Sequence, residues 1–492
     1  MAITKASFAL ISDAPANVKD FGAVGDGINN DRLAIQAAFD ASLKVYFPEG
    51  TYYVGQLASG ATAIDLRGKG DNITILTQGF VELVCETTNT SQTSFFIMRP
   101  TDGTSSSHFY CDPIRFRDTG FVSSPARGAT GFLIQNGNSN WGNLRFIGIY
   151  GKDIYSALQF SNSGNSDVVN NRIRGIFVDE LFVDNGIYGV SLSGQGDGCY
   201  FKKIKTNSVY RPLFAYNVQS VEATVFSRNN KSTSGAINLG WFTAENGPDL
   251  SGIKVRYVSR ECSSAINHIL INVIGPSLGT IKGIDLDIDI EDAVSNNPAV
   301  NFVNYATSGG PSTPTTLSNT VTDIIIRGRV NDATNVIKSE ANYTAAGLIT
   351  LLSSNIPVDS SVYNNFIFST VRSYATTWSG SSSNPTIGNG SLTSNYSVFN
   401  GMCQVNVALV MGSTTTFGSG TWSFTLPITS RSSIPSFATA RAYDSGSTTY
   451  YSGSAYASGT VIEASFSGLL SSSVPITWAT GDTLYITVNY PI

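Results

Sequence analysis

The sequence predicts an all-β solenoid, a right-handed parallel β-helix, and three observations predict it. Only 13% of the 492 residues are charged while 41% are hydrophobic, so Gly, Ser, Thr and Asn carry the polar surface, as they do in proteins made of strands and turns. Short β-rich pieces recur at roughly one coil per 20–30 residues, which lies in the solenoid range. A single amphipathic helical pattern stands ahead of the first coils, and no second one follows before about residue 385.

Charge and cysteine usage exclude several functions. The net charge is -5, from 30 basic and 35 acidic residues, and Lys202, Lys203 and Lys205 form only a local cluster. Neither a nucleic-acid partner nor membrane insertion is expected from so sparse a basic patch, and no window is long enough to span a bilayer. Cys85, Cys111, Cys199, Cys262 and Cys403 are widely spaced and odd in number; they read as buried small hydrophobes in a chain made in a reducing compartment. The apolar stretch 7–11 is too short for a secretion signal. A surface-like composition without one fits a protein that acts outside a cell after leaving it by lysis.

Taken in order, residues 1–17 are an Ala- and Pro-containing lead or attachment segment. Phe21-Gly-Ala-Val-Gly-Asp-Gly-Ile-Asn-Asn30 packs three glycines into ten residues. A helix follows, with Leu33, Ala34, Ala37, Ala38 and Ala41 on its apolar face, Ile35 and Phe39 broadening it, and Asn30 or Asp31 as its cap. That helix is placed to plug the open end of the solenoid. Val45-Tyr-Phe-Pro-Glu-Gly-Thr-Tyr-Tyr-Val54 then turns between two strands at Pro48 and Gly50. The β-helix is expected over 18–385, a Ser-, Gly- and Asn-rich linker over 386–400, and a separate C-terminal β-sandwich over 401–492. In that last stretch only Arg431, Arg441, Asp444, Glu463 and Asp482 are charged, which suggests burial against copies of itself.

The block from Phe21 to Tyr53, with its glycine turn, its helix and its Phe47-Pro-Glu-Gly-Thr-Tyr52 turn, closely resembles the opening of the pectate-lyase-like superfamily. It is most similar to the branch found in phage tailspikes and polysaccharide depolymerases, with Asn30-Asp31 where Thr is more usual. The resemblance implies a homotrimer of β-helices with a C-terminal trimerising or receptor-binding domain. It further implies a place in the virion tail, other phage tail proteins as partners, and a bacterial surface polysaccharide as target. The motif carries fold information and no catalytic residue.

Glycosidic hydrolysis needs two carboxylates, about 5 Å apart for retention or about 6.5–9.5 Å for inversion. The middle of the chain combines acids, aromatics and irregular loops, so Glu180, Asp184, Glu222 and Glu245 are the candidate catalytic residues. Tyr188, Tyr210, Tyr216, Trp241 and Tyr257 are the candidate sugar-binding aromatics, since an aromatic face covers the apolar side of a pyranose. An alternative cluster is Asp285, Asp287 and Asp289, which line one face if Ile284, Leu286, Ile288 and Ile290 point inward. The same alternation also describes a hydrated strand face or a calcium site. His108 and His268 are the only histidines, too few for a His-rich metal centre, and no cofactor is expected. The expected function is binding and endolytic hydrolysis of a bacterial surface polysaccharide, O-antigen or capsule; the alternatives are a non-catalytic adhesin and a polysaccharide lyase using Arg172, Arg174, Lys202, Lys205, Arg228 or Arg256.

Overall fold

The computed structural model describes residues 14–58, 60–69, 72–88, 93–99, 106–123, 126–135, 141–161, 173–194, 196–231, 235–242, 249–262, 267–274, 280–291, 297–305, 320–331, 334, 336–339, 349–352, 356–359, 366–368, 371–399, 402–431 and 436–492. The chain divides into two compact units, Met1–Ile324 with Gly328–Ala346, and Ile325–Arg327 with Gly347–Ile492.

The first unit is the predicted parallel β-helix. Each coil contributes to three stacked parallel sheets, and register offsets run from 21 residues (Ile204↔Val225) to 37 (Val300↔Ile337). Stacking puts like positions over one another. Val45, Ile75, Cys111, Phe146, Val178, Phe201, Ala223, Val255 and Leu286 occupy one register position coil after coil, and all are buried. Phe132 sits in an aromatic ladder with Phe96 at 5.1 Å, Phe116 at 5.2 Å and Phe146 at 5.1 Å. No coil could bury such a face alone, so the core exists only through stacking.

The corners follow from a second kind of repetition. Asn72, His108, Asn143, Gly175, Gly198, Ser220, Gly252 and Gly283 all have positive φ and lie at equivalent positions beside paired residues of the first sheet. A second column, Asp153, Asn185, Ser208, Asn229 and Glu261, has φ between 49° and 58°. These are left-handed turns, favoured by Gly, Asn and Asp. The scattered Gly and Asn of the sequence are therefore corner residues.

The helix Arg32–Ala41 does close the first coils, though not with the expected face. Ile35, Ala38 and Phe39 are buried, and Phe39 meets Phe96 at 6.0 Å, whereas Leu33 is 82% exposed. Asp31 caps nothing with its side chain; its carboxylate accepts from the Val24 and Gly25 amides at 2.7 and 3.0 Å and so fixes the glycine turn. Arg32 donates to the Thr62 and Ala63 carbonyls, tying the helix to a later strand. The last residues of the lead, Ala16–Asn17, already pair with Val45 and Tyr46. All five cysteines are buried, as expected.

The second unit carries a nine-stranded antiparallel sheet in a sandwich-like domain. Its core holds Trp422 against Trp378 at 4.7 Å and Trp478 at 5.5 Å. The expected linker 386–400 contains the strand Ser391–Phe399, paired residue by residue with Met402–Val410. Its Leu392, Tyr396 and Val398 sit among polar neighbours at alternate positions, and pairing makes them a strand despite the Ser- and Asn-rich context.

Candidate functional site

The described outer face of the β-helix holds a groove of about 890 Å³ on the second sheet and its following corner. Alternation builds it. Because Leu181, Val183, Ile204 and Val225 point inward, Phe182, Asp184, Lys203, Lys205, Phe226 and Arg228 point out and line the groove. Register then stacks Phe182, Lys205, Phe226 and Val258 in one column, and Asp184, Asn207, Arg228 and Arg260 in the next. Beside them, on the first sheet, run Arg145, Phe177, Tyr200, Glu222 and Lys254. Phe177 and Tyr200 on the first sheet and Phe226 on the second are exposed by 39%, 39% and 38%, aromatic faces open to solvent on two adjoining sheets. Lower on the same side the Arg115 guanidinium lies 4.6 Å from the Tyr150 ring centre and 4.9 Å from that of Phe80.

Ion pairs between neighbouring coils order this surface. Glu180 receives Lys205 at 3.0 Å and Lys203 at 3.5 Å, and the Tyr150 hydroxyl donates to it at 3.1 Å. The Lys205 hydrogen bond, helped by Tyr150 against partial burial, holds the Glu180 carboxyl below its ordinary range. Asp184 accepts from the Asn207 amide at 2.7 Å. Arg228 pairs with Glu261 at 2.6 Å, and Lys254 with Glu222 at 3.2 Å.

The candidate acids are not gathered into one catalytic pair. Glu180 and Asp184 stand four residues apart on one strand, about 13 Å along it, beyond either hydrolytic spacing. Glu222 stacks over Tyr200 and Phe177, so two coils, about 10 Å, and a corner separate it from Glu180. Glu245 lies outside the described residues. The alternation at 284–290 is as expected, with Ile284, Leu286, Ile288 and Ile290 buried. Asp285 stacks over Lys254 of the first sheet and Asp289 over Val258 of the second, so the corner between the sheets falls within the cluster, and Arg256 approaches Asp287 at 3.9 Å. Burial pushes Asp289 up, but hydrogen bonds from Arg260 at 2.8 Å and Arg329 at 2.9 Å outweigh it and keep its carboxyl below the usual range. Among the described residues, the carboxyls with a shifted pKa (Asp26, Asp40, Asp65, Glu180, Asp289 and Asp444) are all shifted downward. A general acid needs the opposite.

The aromatic candidates divide as well. Tyr216 and Tyr257 are core residues: Tyr216 donates to Asn272 at 2.8 Å, and the Tyr257 hydroxyl lies 3.3 Å from His268 Nδ1, all four being buried. They cannot meet a sugar, because alternation turned them inward. Tyr188 is half-buried on the third sheet, receives Arg211 at 2.6 Å and packs on Phe214 at 5.6 Å. Tyr210 is half-buried on Asp197–Tyr216. Trp241 is on the strand Ile237–Phe242, level with Val273, and its side chain lies outside the described residues. Sequence reasoning passed over Phe177, Tyr200 and Phe226. Each interrupts a strand at the parity reserved for polar groups, as in Val221-Glu-Ala-Thr-Val-Phe226, and that misplacement is the signal that could have found them.

The first unit is a parallel β-helix, and part of it is similar to a known family. Residues 16–238 match the family described as rhamnogalacturonase A/epimerase, pectate lyase-like. Plasmin and fibronectin-binding protein A of Streptococcus pneumoniae is 55% identical over 51 residues, 9% of this chain and 7% of that protein. Mannuronan C5-epimerase AlgE6 of Azotobacter vinelandii is 42% identical over 73 residues, 14% of this chain and 8% of the enzyme. The chain thus spans less than a tenth of the length of either relative. Among solved structures, the tailspike protein of Acinetobacter baumannii phage AM24 aligns with 98% of this chain and 79% of its own, at 11% identity and a TM-score of 0.41.

Proposed function

We propose that this chain is a tailspike-type protein that binds a bacterial surface polysaccharide, O-antigen or capsule, along the outer face of its β-helix. The observation that carries the reading is the groove, where solvent-open Phe226 stacks over Lys205 beside Arg228, with Phe177 and Tyr200 exposed on the adjoining sheet. Aromatic faces cover the apolar faces of sugar rings, and long polar side chains reach their hydroxyls. Stacked coils repeat every 4.8 Å or so, so the face offers like groups at regular intervals to a polymer lying along the axis. The resemblance of residues 21–53 to the opening of tailspike β-helices supports the further reading of a homotrimer in the virion tail, held there by other tail proteins.

Endolytic hydrolysis is a second reading, favoured by three outward carboxylates, Asp285, Asp287 and Asp289, gathered on the coil that follows Val258 and Arg260. In an inverting reaction one carboxylic acid of such a pair protonates the departing glycosidic oxygen while the other carboxylate takes a proton from the attacking water. The test is incubation of the chain with purified capsule and O-antigen preparations. Binding predicts retention of polymer that Tyr200→Ala with Phe226→Ala weakens tenfold or more; unchanged retention in that double variant overturns the groove. New reducing ends that vanish in Asp285→Asn or Asp287→Asn place hydrolysis at that cluster, and ultraviolet-absorbing unsaturated ends indicate a lyase instead.

A further inference from the structure

The C-terminal sheet carries an exposed arginine, Arg441, that pairs with no carboxylate among the described residues. Within 401–492 the carboxylates are Asp444, Glu463 and Asp482, and each is committed. Asp444 accepts from the Gly446 and Ser447 amides at 2.9 and 3.0 Å, Asp482 from the Ser445 and Ala479 amides at 2.9 and 2.7 Å, and Glu463 from the Tyr456 hydroxyl. Arg441 is exposed on the strand Ser436–Asp444 and pairs with no carboxylate among the described residues. Its guanidinium carbon lies 3.8 Å from the ring centre of Tyr450, which in turn contacts Tyr443 at 4.6 Å.

That arrangement orients the cation without neutralising it. The tyrosine ring holds the guanidinium by cation–π attraction, and its planar fork of N–H donors is left for a carboxylate, which it matches in a bidentate way. Register places Tyr485 directly across from Arg441 on one side, and Ser452 across from it on the other. Tyr485 is 49% exposed and Tyr450 56% exposed. On its far side Tyr485 faces only the methyl of Ala408, so its ring is clear of bulky cross-strand neighbours. An aromatic platform, a hydroxyl and an oriented guanidinium thus lie side by side on three adjacent strands.

We propose that Arg441, Tyr485 and Ser452, braced by Tyr450 and Tyr443, form a second glycan site that takes a carboxylate-bearing sugar. The sugar ring stacks on Tyr485, its carboxylate meets Arg441, and a ring hydroxyl meets Ser452. The site is independent of the β-helix groove.

Saturation-transfer NMR of the full chain carrying Tyr200→Ala and Phe226→Ala tests it, with D-glucuronic acid as probe and D-glucose as its uncharged counterpart. Transfer to glucuronate is expected to exceed that to glucose, and Arg441→Gln should weaken glucuronate binding at least tenfold. Arg441→Lys should weaken it severalfold, since an ammonium keeps the charge but loses the fork. Equal transfer to both sugars, or glucuronate binding untouched by Arg441→Gln, overturns the proposal. So does a shift of Arg441→Gln to a smaller species in sedimentation, which would make the face a contact between copies of the chain.

Discussion

The two units handle charge in opposite ways. On the β-helix, cations of one coil meet carboxylates of another: Arg117 with Glu82 at 3.0 Å, Lys205 with Glu180 at 3.0 Å, Lys254 with Glu222 at 3.2 Å, Arg260 with Asp289 at 2.8 Å. In the C-terminal sheet, Asp444 accepts from its own turn, Asp482 accepts from the backbone and hydroxyl of Ser445 in that same turn, and Arg441 rests on an aromatic ring. Parallel stacking explains the difference. A solenoid brings equivalent outward positions to about 4.8 Å in every coil, so like charges would repel along the whole column unless opposite charges alternate. An antiparallel sheet of neutral residues meets no such constraint and can leave a single cation available.

The comparison breaks first, and most heavily, at the buried carboxylates. Asp118 in the β-helix is 1% exposed and accepts from the Thr87 amide and hydroxyl and from the Gly120 and Ala129 amides, at 2.7 to 2.9 Å. It joins the corner of one coil to the next. Asp118→Ala should cost about 4 kcal/mol, because each lost charged hydrogen bond leaves a donor without an acceptor. Asp482 in the C-terminal domain, equally buried, accepts two bonds from Ser445, 37 residues away, and one from the Ala479 amide, so it ties two turns together, and Asp482→Ala should cost about 3 kcal/mol. Urea denaturation of both variants measures the order. A smaller loss at Asp118 than at Asp482 would mean that the link between coils matters less to the solenoid than the link between turns matters to the sheet.

Much of this architecture was legible in the sequence because the solenoid repeats a rule. Alternation in Ile284-Asp-Leu-Asp-Ile-Asp-Ile290 sorts inside from outside correctly, and the block at 21–53 announces the capping helix and first strands. What alternation cannot supply is register. Glu222 and Glu180 look like neighbours in a list of acids, but coil offsets of 22 and 23 residues set them two coils apart. Tyr216 and Tyr257 carry the right chemistry at inward parity, where only the fold shows them buried. Leu33 fits a helical face that the solenoid does not use, the buried side being Ile35, Ala38 and Phe39.

The smallest expected effect sharpens the comparison on the outer face. Glu180 is 31% exposed at its side chain and is held by Lys205, Tyr150 and Lys203. Its carboxyl therefore titrates lower in the folded chain than in the unfolded one. A depressed carboxyl stabilises the fold fully above the unfolded value, and that contribution disappears as pH falls through the folded value. Solvent screening at a partly exposed pair limits it to a few tenths of a kcal/mol. Glu180→Gln should lower the denaturation midpoint slightly at pH 7, and the difference from the parent chain should close as pH falls through the lowered range of the folded carboxyl. Added salt should narrow the pH 7 difference as well, since the pair lies within reach of mobile ions. Gln still accepts from the Tyr150 hydroxyl, so a difference that persists at acid pH, where the carboxyl is neutral, would remove charge pairing as the reason for placing an acid beneath two lysines.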